Sequence, residues 1–203
     1  MKRTLKIDPR LSFDKIDESF QPPATVRVTK FDDEAVEDFE KEFNKALNTG
    51  QPVIPIQIDS YGGAVYSLKG MISVIEQSPV PVATICTTKA MSAGAVLFSF
   101  GTEGYRFIHP DATLMIHDAS WWSDGKVEDI KVDAQHLDNE NKKMFRRMAK
   151  HLGHPQDYIL DLIKEHSHVD WFLTAKEAKR HRIANHLRVP SFEVEISVDI
   201  RFG

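Results

Sequence analysis

The hydrophobic pattern predicts an α/β fold built on a largely parallel sheet. Short apolar runs with strand character alternate with helical stripes through residues 25–118, at lengths that suit right-handed βαβ crossovers. Two of those runs, VIPIQID (53–59) and VPVATICTT (80–88), are apolar almost throughout, as strands covered on both faces are. Beyond them, apolar residues recur every three or four positions from about Gly125 to Leu152, a stripe far longer than an ordinary helix needs.

Residues 1–24 mix charges with Pro9, Pro22 and Pro23 and read as an arm outside the core; residues 25–203 then form a single domain. ATVRVTKF alternates as a half-buried strand does. From Glu34 to Leu47, Val36, Phe39, Phe43 and Leu47 mark one helical face, which Gly50 ends. In VIPIQID the strand reading is opposed by Pro55, which has no N–H for the ladder. SYGG makes a turn, and a helix follows with Val65, Leu68, Ile72 and Ile75 inward. VPVATICTT runs into TKAMSAGAVLFSFG, where a strand turns sharply into a helix of small residues; YRFIHP and TLMIHD are two further strands. The long stripe comprises Val127, Ile130, Ala134, Leu137, Asn141, Met144, Met148 and Leu152, with Gly153 and Pro155 as its stop. A helix this long often protrudes, and its stripe needs a partner beyond its own sheet. A shorter helix reaches about His166, TAKE (174–177) reads as a capping box, and SFEVEISVDIRF alternates as an added C-terminal strand over 191–202.

The 203-residue length fits one domain, and 41% hydrophobic with 28% charged residues is ordinary for a globular chain. A net charge of −4 without a long basic block argues against nucleic acid as a partner. Cys86 stands alone in an apolar strand, so core packing is its expected role. The first twenty residues have no apolar signal core and no run approaches a membrane span, so the expected setting is cytoplasmic, without a membrane.

Three local features carry chemistry. Ser92 sits at the strand-to-helix turn, where a helix cap is the bland alternative to a nucleophile. His117 ends the TLMI strand, at the sheet edge where α/β folds bind ligands. The paired glycines of DSYGG let backbone N–H groups approach a ligand closely, or simply make a tight turn. Together they meet the needs of acyl transfer: a serine, a base to activate it and N–H donors for the oxyanion. No CxxC, HExxH or phosphate-binding GxxxxGK[ST] pattern is present, so neither a metal nor another cofactor is expected.

IQIDSYGGAVYSLKGM, TICTTKAMSAGAVLFSFGTEGYRFIHPDATLMIHDAS, the long helix and VDWFLTAKEAKRHRIANHL occur in one order from Val53 to about Leu187. In order and spacing they resemble the proteolytic subunit of the Clp protease, ClpP. That resemblance implies a ClpP/crotonase-type fold of repeated β-β-α units, with the long helix as a protruding handle. It makes Ser92 the nucleophile, His117 the general base, Asp170 of VDWFL the third triad member, and the backbone N–H groups of Gly63 and Ala93 the oxyanion hole. It further implies a serine endopeptidase that cuts peptides or unfolded proteins through an acyl-enzyme. Homo-oligomeric heptameric rings, stacked in pairs, would enclose the sites, and a separate ATP-dependent unfoldase is a possible partner. The departures are Tyr61, where the family has proline, and ASWWSDGKV, where it has a glycine-rich strand lining the substrate channel. Trp121 and Trp122 of that segment are a hydrophobic substrate wall, an interface contact or core. The N-terminal arm has no clear match to the family's axial segment. Two other readings stand beside this one: an idle ring subunit that scaffolds or modulates an active partner, and a crotonase-like acyl-CoA enzyme.

Overall fold

A computed structural model describes residues 23–120 and 124–191. The arm up to residue 22, Trp121, Trp122 and the tail from 192 onward lie outside the described residues, and the expectations placed on them lie there too.

The sheet is organised around β3 (Val82–Met91), whose ten residues are long enough to serve three neighbours. On one side it pairs in parallel with β2 (Ile54–Ser60), which pairs in parallel with β1 (Val26–Val28). On the other side β3 divides its length. Thr84–Cys86 take β4 (Arg106–Ile108), and Lys89–Met91 take β5 (Thr113–Ile116), both parallel. β6 (Trp171–Thr174) closes that edge antiparallel to β5. The expected α/β architecture is borne out. Pro55 is accommodated because it precedes the β1 ladder, which begins at Val26↔Ile56.

Six helices cover this sheet among the described residues: α1 (Asp33–Asn48), α2 (Val65–Glu76), α3 (Ala93–Ser99), α4 (Val127–His151), α5 (Tyr158–Glu165) and α6 (Ala175–Arg180). The Asp32 side chain caps α1 through the Ala35 N–H, and Phe39 and Phe43 are buried on its inner face. α2 buries Leu68, Met71, Ile72 and Ile75. α3 is buried at every residue, which is why its sequence is so small: at Gly94 a Cβ would already stand 3.4 Å from the Ser60 carbonyl oxygen. Thr174 and Glu177 form the capping box expected of TAKE. One main core joins these layers, and Cys86 is fully buried within it.

The long stripe forms α4, but the chain covers only its second half. Met144, Met148 and Leu152 are buried, whereas the helix is exposed from its start through His136, with Val127, Ile130 and Val132 open to solvent. Among the described residues, no helix is long and apolar enough to cross a membrane.

Candidate active site

Ser92 alone makes the bend between β3, ending at Met91, and α3, starting at Ala93. Its φ of 54° and ψ of −123° lie in a region where a side chain is strained, at a cost of about 1–3 kcal/mol. Backbone bonds hold it there: the Ser92 N–H donates to the Met115 carbonyl (2.8 Å), and its own carbonyl accepts from Ala95 (3.0 Å) and Val96 (3.1 Å). Ser92 therefore does not serve as a side-chain cap of α3. The bend turns its side chain outward from the strand end, as in other strained strand-to-helix turns that display a nucleophile.

β3 and β5 run parallel with Met91 opposite Met115, so the residues just beyond both strands are neighbours. His117 is one of them, and its Nε2 lies 2.9 Å from Ser92 Oγ. The SYGG turn packs beside this pair. Gly62 (φ 105°) meets the turn so closely that a Cβ there would lie 2.7 Å from Ser92 Cβ. Gly63 (φ 150°) bridges to Phe31, and the adjacent Ala64 N–H donates to the Phe31 carbonyl (2.9 Å). The Ala93 N–H, first in α3, has no carbonyl one turn back to receive it. Neither it nor the Gly63 N–H has a hydrogen-bond partner among the described residues. Gly63, Ala93, Ser92 and His117 line one narrow cavity, whose apolar wall includes Val65, Leu68, Val96 and Met144.

Asp170 is placed differently. It is exposed and forms no hydrogen bond or ion pair among the described residues, so nothing joins it to His117. Yet β5 and β6 pair Ile116 with Trp171, and one further step along that antiparallel register sets residue 117 opposite 170. The carboxylate that does engage nearby is Asp118, which the sequence did not single out. Its Oδ2 pairs with His168 Nδ1 (2.7 Å) and its Oδ1 accepts from Asn141 Nδ2 (2.6 Å). Glu140 also went unread: it lies in the wall of the Ser92 cavity, paired with Lys69 of α2. The signal for Glu140 is its place four residues before Met144 and eight before Met148, on a buried helix face. Across the sheet edge, Lys89 pairs with Asp59 (2.6 Å), and that hydrogen bond holds the Asp59 carboxyl below its usual range. Among the described residues, no group of three or more His, Cys, Asp or Glu is placed to hold a metal.

The family model described as Clp protease matches residues 37–189, well over half of the chain. The chain belongs to the Clp protease family. It is 32% identical over 125 residues to an ATP-dependent Clp protease proteolytic subunit of Porphyromonas gingivalis, covering 62% of this chain and 54% of that protein. With a protein of the same description from Bacteroides thetaiotaomicron the identity is 34% over 128 residues, covering 63% and 56%. The chain thus spans little more than half the length of these relatives. Membership accords with the ClpP-type α/β fold expected from the sequence.

Proposed function

We propose that this chain is a serine endopeptidase subunit in which Ser92 attacks the peptide carbonyl and His117 takes its proton. The observation that carries this is the 2.9 Å contact between Ser92 Oγ and His117 Nε2 on a strained turn. The Gly63 and Ala93 N–H groups supply the oxyanion hole, two unpartnered donors beside the nucleophile. In the first step the serine oxygen bonds to the carbonyl carbon, and His117 passes the proton to the departing amine. Water, activated by the same imidazole, then releases the acyl group. Asp170 is proposed to orient His117 through Nδ1, with the strand register bringing it opposite. The apolar cavity wall suits an apolar substrate side chain. The subunits are proposed to form heptameric rings enclosing the sites, ATP being used only by a separate unfoldase.

A fluorophosphonate probe tests the reading: the label should map to Ser92, and Ser92→Ala should lower kcat on short fluorogenic peptides by about 10⁶. Labelling elsewhere, or turnover within tenfold of the parent, overturns the assignment. The second reading, an idle ring subunit, is favoured by one observation, the unengaged Asp170. It predicts assembly with neither labelling nor hydrolysis.

A further inference from the structure

The loop that leads to Asp170 is held by a contact outside the Ser92–His117 pair. After α5, Ser167 and His168 both adopt left-handed conformations, with φ of 56° and 59°. Two successive side-chain-bearing residues there are unfavourable, so something must hold them. The backbone contributes Ser167 N–H to the Lys164 carbonyl (2.9 Å) and His168 N–H to the Ile163 carbonyl (3.0 Å). The side-chain tie is His168 Nδ1 to Asp118 Oδ2 (2.7 Å). Asp118 is fixed in turn by Asn141 of α4, whose Oδ1 accepts the Ala119 N–H (2.9 Å). The histidine two positions before Asp170 is thus bonded to the carboxylate next to His117, while Asp170 and His117 Nδ1 are left without each other.

We infer that Asp118 and His168 form a latch that holds the 166–170 loop with the Asp170 carboxylate disengaged from His117, and that turnover increases when the latch opens. The inference rests on the reading of Asp170 as the orienting acid. Four features support it. The β5–β6 register already sets residue 170 opposite 117, so engagement needs a change in the loop and not in the sheet. The pair is weak, because the side chains of His168 and Asp118 are 61% and 32% exposed; its population effect is at most about fivefold. The left-handed strain at Ser167 and His168 opposes it. Asp118 and His168 also border a cavity of about 510 Å³ between α4 and α5, which gives both side chains room to part.

The test compares kcat and KM of the full chain on a short fluorogenic peptide for the parent, His168→Ala, His168→Arg, Asp170→Asn and the double variant His168→Ala/Asp170→Asn. Crystal structures of the parent and His168→Ala accompany the kinetics. His168→Ala should raise kcat about two- to fivefold at unchanged KM, and His168→Arg, which restores a hydrogen-bond donor to Asp118, should return it toward the parent. The double variant should show no gain over Asp170→Asn. In the His168→Ala crystal the Asp170 carboxylate should accept a hydrogen bond from His117 Nδ1, and in the parent it should not. An unchanged or lower kcat for His168→Ala overturns the latch, as does Asp170 in the same position in both crystals. If no variant hydrolyses peptide and Ser92 takes no label, the peptidase reading has failed, and the crystallographic position of Asp170 alone decides the latch.

Discussion

At Gly62 one methyl group separates a turn that displays Ser92 from one that cannot. The residue has a φ of 105°, and a Cβ would stand 2.7 Å from Ser92 Cβ and 2.9 Å from the Met91 carbonyl oxygen. Neither neighbour can yield, since both belong to the strained bend. Gly62→Ala is expected to lower kcat/KM by two orders of magnitude or more and to lower Tm; peptide kinetics and a thermal melt measure both, and parental values would disprove the close fit. Asp170→Asn should lower kcat by about 10²–10⁴ at little change in KM, as loss of an orienting acid does in Ser-His-Asp systems. Near-parental turnover would assign the orienting role elsewhere. Cys86 takes the opposite role: burial pushes its thiol up to about 12, so iodoacetamide should modify it only after unfolding. Ser92, His117 and the paired glycines were legible because each lies in a local pattern of turn or strand end. Asp118 was not, because its meaning depends on a histidine 50 positions away, and no local period reports that.

Helices and strands were legible wherever one face meets the core. The α1 and α2 stripes, the TAKE box and the strand runs between residues 24 and 118 formed within a few residues of their expected bounds. In α4 the period was right, but burial was not readable from it: a stripe shows which residues share a face, not how much of that face its own chain covers. Met144 and Met148 turn out to lie in the protomer core, so a charge placed there would unfold the chain and not report on an interface. The C-terminal end of α4 also carries a pH-dependent element. His151 packs on Phe100 (4.9 Å between ring centroids) with Nε2 3.1 Å from the Gly101 carbonyl oxygen, and burial holds it below the usual 6.5. The unfolded chain therefore binds this proton first as pH falls. Its contribution is complete above about 6.5 and is lost below that, down to the depressed native value. His181, also lowered chiefly by burial, acts in the same direction. Urea midpoints should drop between pH 7.5 and 5.5, and His151→Gln should make that drop shallower. An equal drop in the variant would remove His151 from the account.

For the whole molecule, the consequence of this arrangement is an unfilled half-helix. From its start through His136, α4 runs exposed, presenting Val127 (66% exposed), Ile130 (39%) and Val132 (65%). Its other half is anchored by Met144, Phe145, Met148 and Ala149 in the core, and Tyr66 Oη of α2 lies 3.0 Å from His136 Nε2 at the end of the exposed stretch. Exposed apolar residues favour association, because burying them removes surface from water at about 25 cal/mol per Å². We predict that the chain self-associates through this half of α4. Val127→Glu combined with Ile130→Glu tests it cleanly, since neither side chain is buried in the protomer and the fold should survive, as circular dichroism would show. Light scattering should give a multiple of the 23.1 kDa chain mass for the parent and a smaller assembly for the double variant. A parent that remains a 23.1 kDa monomer while hydrolysing peptides at full rate would refute the enclosed-chamber proposal. The same preparation decides whether the sites are enclosed. A chamber admits short peptides and spares a stable folded protein unless a partner unfolds it. Rapid digestion of that protein by the assembled parent alone would mean that Ser92 faces open solvent.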